Sequence, residues 1–127
     1  MRYIIRGFLL TGAFLLVMSC ATKQPVLYKD DRPLHLSEYQ KMAQKKYEEE
    51  RFREAIPIYR AVIKNYPENS SAVAWAHYEI GFCYYRMENY DQAMVYFRKV
   101  VNEYNEPAAT KLAEHMMSKI SEKKNQK

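Results

Sequence analysis

His35, His77, His115 and Cys83 are the residues with which this chain could run metal or nucleophilic chemistry, and their spacing argues against both. The three histidines fall in three different segments, with no His-x-x-x-His or Cys-x-x-Cys pair to hold a metal. His77 and Cys83 lie six residues apart in an apolar helical run, so a helix turns them to different sides. A core histidine and a packed thiol are the expectation. Glu48-Glu49-Glu50 reads as a solvated helix end, not a pair of carboxylates poised for acid–base work. Gly81 is the only glycine beyond Cys20, so no glycine-rich loop can cradle a phosphate. The expectation is no enzyme, no catalytic residue, no metal and no small-molecule substrate.

The N-terminus is a different material. Two arginines, Arg2 and Arg6, precede an uncharged and mostly apolar run from Gly7 to Val17. A lasting transmembrane helix needs about 20 such residues, so this run fits an export signal better. Val17-Met18-Ser19-Cys20 resembles the lipobox of bacterial lipoproteins. That resemblance implies cleavage after residue 19 and a covalent lipid on Cys20, the one prosthetic group expected. Ala21 in place of Asp implies an outer-membrane, periplasm-facing address, with an inner-membrane or cell-surface lipoprotein as the alternative. With Cys20 lipidated, Cys83 has no disulfide partner.

Removing residues 1–19 takes two of the 20 basic residues and leaves 18 against 15 acidic ones, a net charge of +3. That is too mild for a nucleic-acid partner, which needs a clustered basic face. Residues 20–35, with two prolines and no helical period, read as the lipidated Cys and a flexible tether that spans roughly 50 Å when extended. Residues 122–127 read as a basic disordered tail.

Between them the chain repeats itself. Phe52, Ala55, Tyr59, Val62, Ile63 and Tyr66 return 38 residues later as Tyr90, Ala93, Phe97, Val100, Val101 and Tyr104. A period of this length marks a stack of helical hairpins, each burying its apolar face on its neighbour. Five helices are expected, the first capped at Ser37 with Gln40 and running to Glu49. The second spans Phe52–Asn65, the third follows Asn69 or Ser70 to Met87, the fourth follows Asn89 to Tyr104, and the fifth runs from Pro107 to Ile120. Pro57 should bend the second helix without ending it. The fold class is all-α, over residues 36–121.

Ile80, Gly81, Tyr84, Tyr90, Ala93, Phe97 and Val100 resemble a tetratricopeptide repeat, with Ala55, Tyr59 and Pro67 matching in the first copy. The resemblance implies two hairpins and a capping helix, with Gly81, Ala55 and Ala93 as small contacts and Tyr59 and Phe97 filling around them. It places His77 where the family often has Trp. The run from Ala55 to Gly81 is also similar to repeats of outer-membrane-protein assembly lipoproteins, Tol–Pal coordinator proteins and secretin pilotins.

Trp75, Tyr78, Phe82 and Tyr85 are spaced three, four and three, which aligns four rings along helix three. In the repeat family the first helix of each pair lines the concave groove, so these rings, walled by Gln40, Gln44 and Tyr47 of helix one, are the expected partner-binding residues. Burial against a neighbouring helix is the competing expectation. The function read from the sequence is a lipid-anchored adaptor or scaffold of the cell envelope that binds another envelope protein or peptide segment. An outer-membrane assembly, secretion or pilus machine is the setting. The alternative is a fixed subunit of a larger complex or homodimer, its aromatic face permanently covered.

Overall fold

Gly81 and the alanines decide how closely the helices of this protein cross. The computed structural model describes residues 25–126. The signal-peptide and Cys20 expectations, residues 20–24 of the tether and Lys127 lie outside the described residues. Five helices follow a small β-hairpin: α1 (Leu36–Glu48), α2 (Phe52–Asn65), α3 (Ser70–Arg86), α4 (Tyr90–Glu103) and α5 (Pro107–Asn125). Each packs on the next, α3 also touches α5, and the result is an all-α stack of two hairpins with a fifth helix on its end.

The core has two lobes. One gathers Tyr39, Ala43, Ala55, Ile58 and Val62 of the first hairpin with Ala76, Ile80 and Cys83 of α3. The other joins Tyr78 of α3 to Phe97 and Val100 of α4 and Ala109, Ala113, Met116 and Ile120 of α5. Since α3 feeds both lobes, it is apolar on several sides, as a central helix must be. The repeat-packing residues Gly81, Ala55, Ala93, Tyr59 and Phe97 are all buried. A Cβ on Gly81 would lie 2.9 Å from Phe97 Cε1 and 3.1 Å from Tyr96 Cβ, closer than packed carbons tolerate.

The hairpin ends repeat as faithfully as their cores. After α1, Glu50 takes φ 56° and the Arg51 N–H donates to the Lys46 carbonyl; after α3, Glu88 takes φ 59° and Asn89 N–H donates to Tyr84. Together with Glu50 N–H to Tyr47 and Glu88 N–H to Tyr85, this is a Schellman closure, 38 residues apart, with glutamate where glycine is at ease.

Three stretches differ from the sequence reading. Residues 28–33 of the expected flexible tether form a hairpin, Tyr28–Lys29 paired with Arg32–Pro33. Asp30 and Asp31 turn it with φ 50° and 59°. It is docked: Tyr39 Oη donates to the Leu27 carbonyl and Tyr66 Oη to the Leu34 carbonyl, each at 2.6 Å. Leu34 is buried under it. Helix α1 is capped two residues earlier, by His35, whose N–H donates to Glu38 at 2.8 Å, so Ser37 and Gln40 form no capping box. Helix α5 continues to Asn125, so residues 122–125 are helical and not a disordered tail; Ile120 is buried and Lys124 pairs with Asp91 of α4. Pro57 leaves α2 unbroken, and Asn69 and Asn89 cap α3 and α4 through their side-chain oxygens at 3.0 and 3.3 Å.

His77 is 6 % exposed between the rings of Tyr96 and Tyr104, at 5.9 and 5.4 Å. Burial, then the Lys99 charge, pushes its pKa down to about 4, so it is a neutral core residue at pH 7.

Gly81→Ala and Glu88→Gly should shift stability in opposite directions. The added methyl meets Phe97 and should cost about 1–3 kcal/mol, outweighing the better helix propensity of alanine. Glycine at position 88 relieves a left-handed glutamate and should contribute roughly 0.5–1 kcal/mol. Urea unfolding followed by circular dichroism reads both; a neutral Gly81→Ala would show that the helices can separate at no cost.

Candidate protein-binding groove

Helices α1 and α3 both lean on α2, and a groove of about 520 Å³ stays open between them. Its first wall is the exposed face of α1, Gln40, Gln44 and Glu48 at successive turns with Lys41 and Lys45 beside them. The second wall is α3, where Ala72 and Ala76 are too small to reach across and Trp75 and Glu79 stand a turn apart. Tyr59 and Val62 of α2 form the floor; both are buried. The groove is therefore apolar at depth and hydrogen-bonding at its rim, where Gln44 Nε2 donates to Glu48 Oε1 at 3.0 Å.

Two polar groups reach the inside. Burial alone raises the pKa of Glu79, with no hydrogen bond or cation lowering it. The Tyr59 hydroxyl is pushed up by burial first and by the Glu79 charge second. Neither side chain makes a hydrogen bond or ion pair with another described residue, whereas nearby charges are committed: Lys46 to Glu54 at 2.9 Å, Arg86 to Tyr47 and Glu50 at 2.9 and 3.2 Å, and Arg60 to Tyr84 and Tyr96 at 3.3 Å each.

The residues expected to bind a partner divide. Gln40, Gln44 and Trp75 line the groove. Tyr78, Phe82, Tyr85 and Tyr47 do not. Tyr78 is 9 % exposed and packs on Phe97, ring centroids 5.6 Å apart, with its hydroxyl pushed up to about 12 by burial. Phe82 and Tyr85 are half-buried against the same lobe, stacked on each other at 5.9 Å, and Tyr85 meets Tyr90 of α4. Tyr47 is wedged between Phe52 and Phe82 under the Arg86 guanidinium, closing the lower end of the hairpin. The physical reason is that α5 covers the Tyr78 side of α3 and Tyr47 of α1 closes over Phe82, which leaves Trp75, edge-on to Tyr78 at 5.7 Å, as the one ring of the stripe that lines the groove.

Sequence reasoning missed Glu79. Its signal was available: it is the only acidic residue in α3, in the middle of an apolar run. At about 100° per residue it sits some 40° from Trp75, on the side away from Tyr78. Cys83 is buried and its thiol is pushed up to about 12, so it is not a nucleophile at neutral pH. Among the described residues no group of three or more His, Cys, Asp and Glu is placed to hold a metal, and no helix is long and apolar enough to cross a membrane.

Two sequence-family models, both described as tetratricopeptide repeat, match the chain, one over residues 39–69 and the other over residues 74–102. They coincide with the α1–α2 and α3–α4 hairpins, so the chain contains two tetratricopeptide repeats, and the groove lies between the first helices of the two. No curated protein and no solved structure matches it.

Alanine at positions 75 and 78 should separate surface from core. Tyr78→Ala removes a buried ring and should cost about 3–5 kcal/mol in urea unfolding, while Trp75→Ala should cost a small fraction of that. Equal losses would mean that Trp75 belongs to the core and not to the groove.

Proposed function

We propose that this repeat protein is a lipid-anchored adaptor of the bacterial cell envelope, which holds a segment of another protein in the groove between α1 and α3. The observation that carries the reading is the groove itself, open between two helices and apolar at depth, with Trp75 at its edge. Tetratricopeptide repeats are a protein-interaction fold, and the groove lies on the helices that such folds present to partners. A volume of about 520 Å³ takes a few side chains, so the occupant is a short helix or extended strand. A rigid indole at the edge loses little rotamer freedom on contact, which suits it as the anchor of such a site.

The anchor rests on Val17-Met18-Ser19-Cys20 and the charged, apolar stretch ahead of it. With lipid on Cys20 and Ala21 next to it, the domain works at the periplasmic face of the outer membrane, within an assembly, secretion or pilus machine.

Two measurements test these statements separately. A photoreactive residue at Gln44 in living cells should crosslink to a second protein, and one at Arg98, on α4 away from the groove, should not. Equal adducts at both positions, or none at Gln44, would remove the groove as the binding site; an adduct of twice the protein's own mass would identify a homodimer. Cys20→Ser should move the protein from the membrane fraction to the periplasmic extract. Retention on the membrane would show that lipid on Cys20 is not what holds it there.

A further inference from the structure

We infer that the groove selects its partner by one basic side chain, a lysine or arginine of the bound segment whose cationic end reaches the Glu79 carboxylate. The inference rests on the groove being a protein-binding site and names the chemistry it reads. A carboxylate in the wall of a half-buried cleft loses hydration that a cation or hydrogen-bond donors must replace. Here the protein supplies neither: among the described residues, Glu79 has no hydrogen-bond or ion-pair partner, and Lys46, Arg60 and Arg86 are engaged elsewhere. Lys41 and Lys45 line the opposite wall, exposed and with no ion pair among the described residues.

The rest of the cleft fits the same guest. Val62 and Ala76 offer an apolar bed for a methylene stem, and Trp75, one turn from Glu79, lines the same wall and adds apolar surface beside the charged end. The free Tyr59 hydroxyl supplies a second oxygen at the floor. Lys41 and Lys45 at the rim repel a uniformly basic segment and favour acidic neighbours, so the occupant is a peptide with a single basic residue flanked by acidic ones. Of the titratable groups around Glu79, α1 brings Lys41, Lys45 and Glu48, α2 brings Tyr59, and α3 itself brings Tyr78 and Cys83, both of which feel its charge; α4 and α5 do not line the cleft.

Glu79 should also cost stability in the empty protein. Its pKa is raised on folding, so its ionised form opposes folding above that pKa, and the penalty fades as pH falls through the folded value and is gone below the unfolded one.

A displayed library of random twelve-residue peptides, panned against the full chain, provides the probe. Peptides whose affinity falls on Trp75→Ala are kept, and each of their basic residues is replaced by norleucine or citrulline. One such replacement should weaken binding to the wild type about 10- to 100-fold and to Glu79→Gln less than about threefold. Binding should weaken as the pH is lowered and Glu79 protonates, and Glu79→Gln should melt above the wild type at pH 7. Trp75-dependent peptides that bind Glu79→Gln as tightly as the wild type would overturn this inference and leave the groove intact. A lower melting temperature for Glu79→Gln would mark the carboxylate as structural and overturn it too. Failure to recover any Trp75-dependent peptide would count against both the inference and the groove.

Discussion

The approach of α4 to α3 at Gly81 is the constraint on which the rest of the structure depends. With the Phe97 ring edge only 2.9 Å from where a Cβ would stand, the two helices cross too closely for any side chain at this position. That closeness seals Ile80 and Cys83 into one lobe of the core and Phe97 and Val100 into the other. In a repeat stack each hairpin is stabilised only by its neighbours, so an interface of this kind is where two units become one fold. Tyr84 and Tyr96, stacked at 5.6 Å beside the crossing and both held by Arg60, tie the first hairpin to the second on the outer side.

Fixing α3 against α4 leaves it standing off from α1, because α2 alone lies beneath both. Ala72 and Ala76 then determine that the space stays unfilled. The groove is thus a product of two opposite uses of small residues on one helix: glycine on one side to bring a neighbour in, alanines on another to keep the gap from closing. The only acidic residue of α3 points into that gap, in a setting that disfavours its charge. Groups held at a cost to folding are characteristic of binding sites, since their stabilisation comes from the ligand.

The fold was legible because packing periodicity is written directly into residue type. The 38-residue offset between Phe52 and Tyr90, the asparagine caps and Pro107 each mark a boundary that the structure keeps to within a residue or two. The hairpin over residues 28–33 was not legible, since its turn is Asp30-Asp31 without a glycine and its strands are two residues long. Nor were the turns at Glu50 and Glu88, where the helix-closing hydrogen bonds hold glutamate in a conformation its composition does not advertise. The candidate site was half legible. Spacing aligned Trp75 with Tyr78, Phe82 and Tyr85, but which side of that stripe is covered depends on where α5 docks, and no local pattern carries that.

The docked hairpin changes the geometry of any N-terminal attachment. A chain free from Cys20 to His35 would let the domain roam; the hairpin instead holds the chain to the domain from Leu27 onward, through the Leu27 and Leu34 carbonyls. Fully stretched, the seven residues from Cys20 to Val26 would reach roughly 24 Å, less than the roughly 28 Å length of α5 itself at 1.5 Å per residue. A domain lipidated at Cys20 would therefore graze the bilayer rather than survey the space beyond it, and the segments it could grasp would be those that emerge within one domain's width of the lipid headgroups.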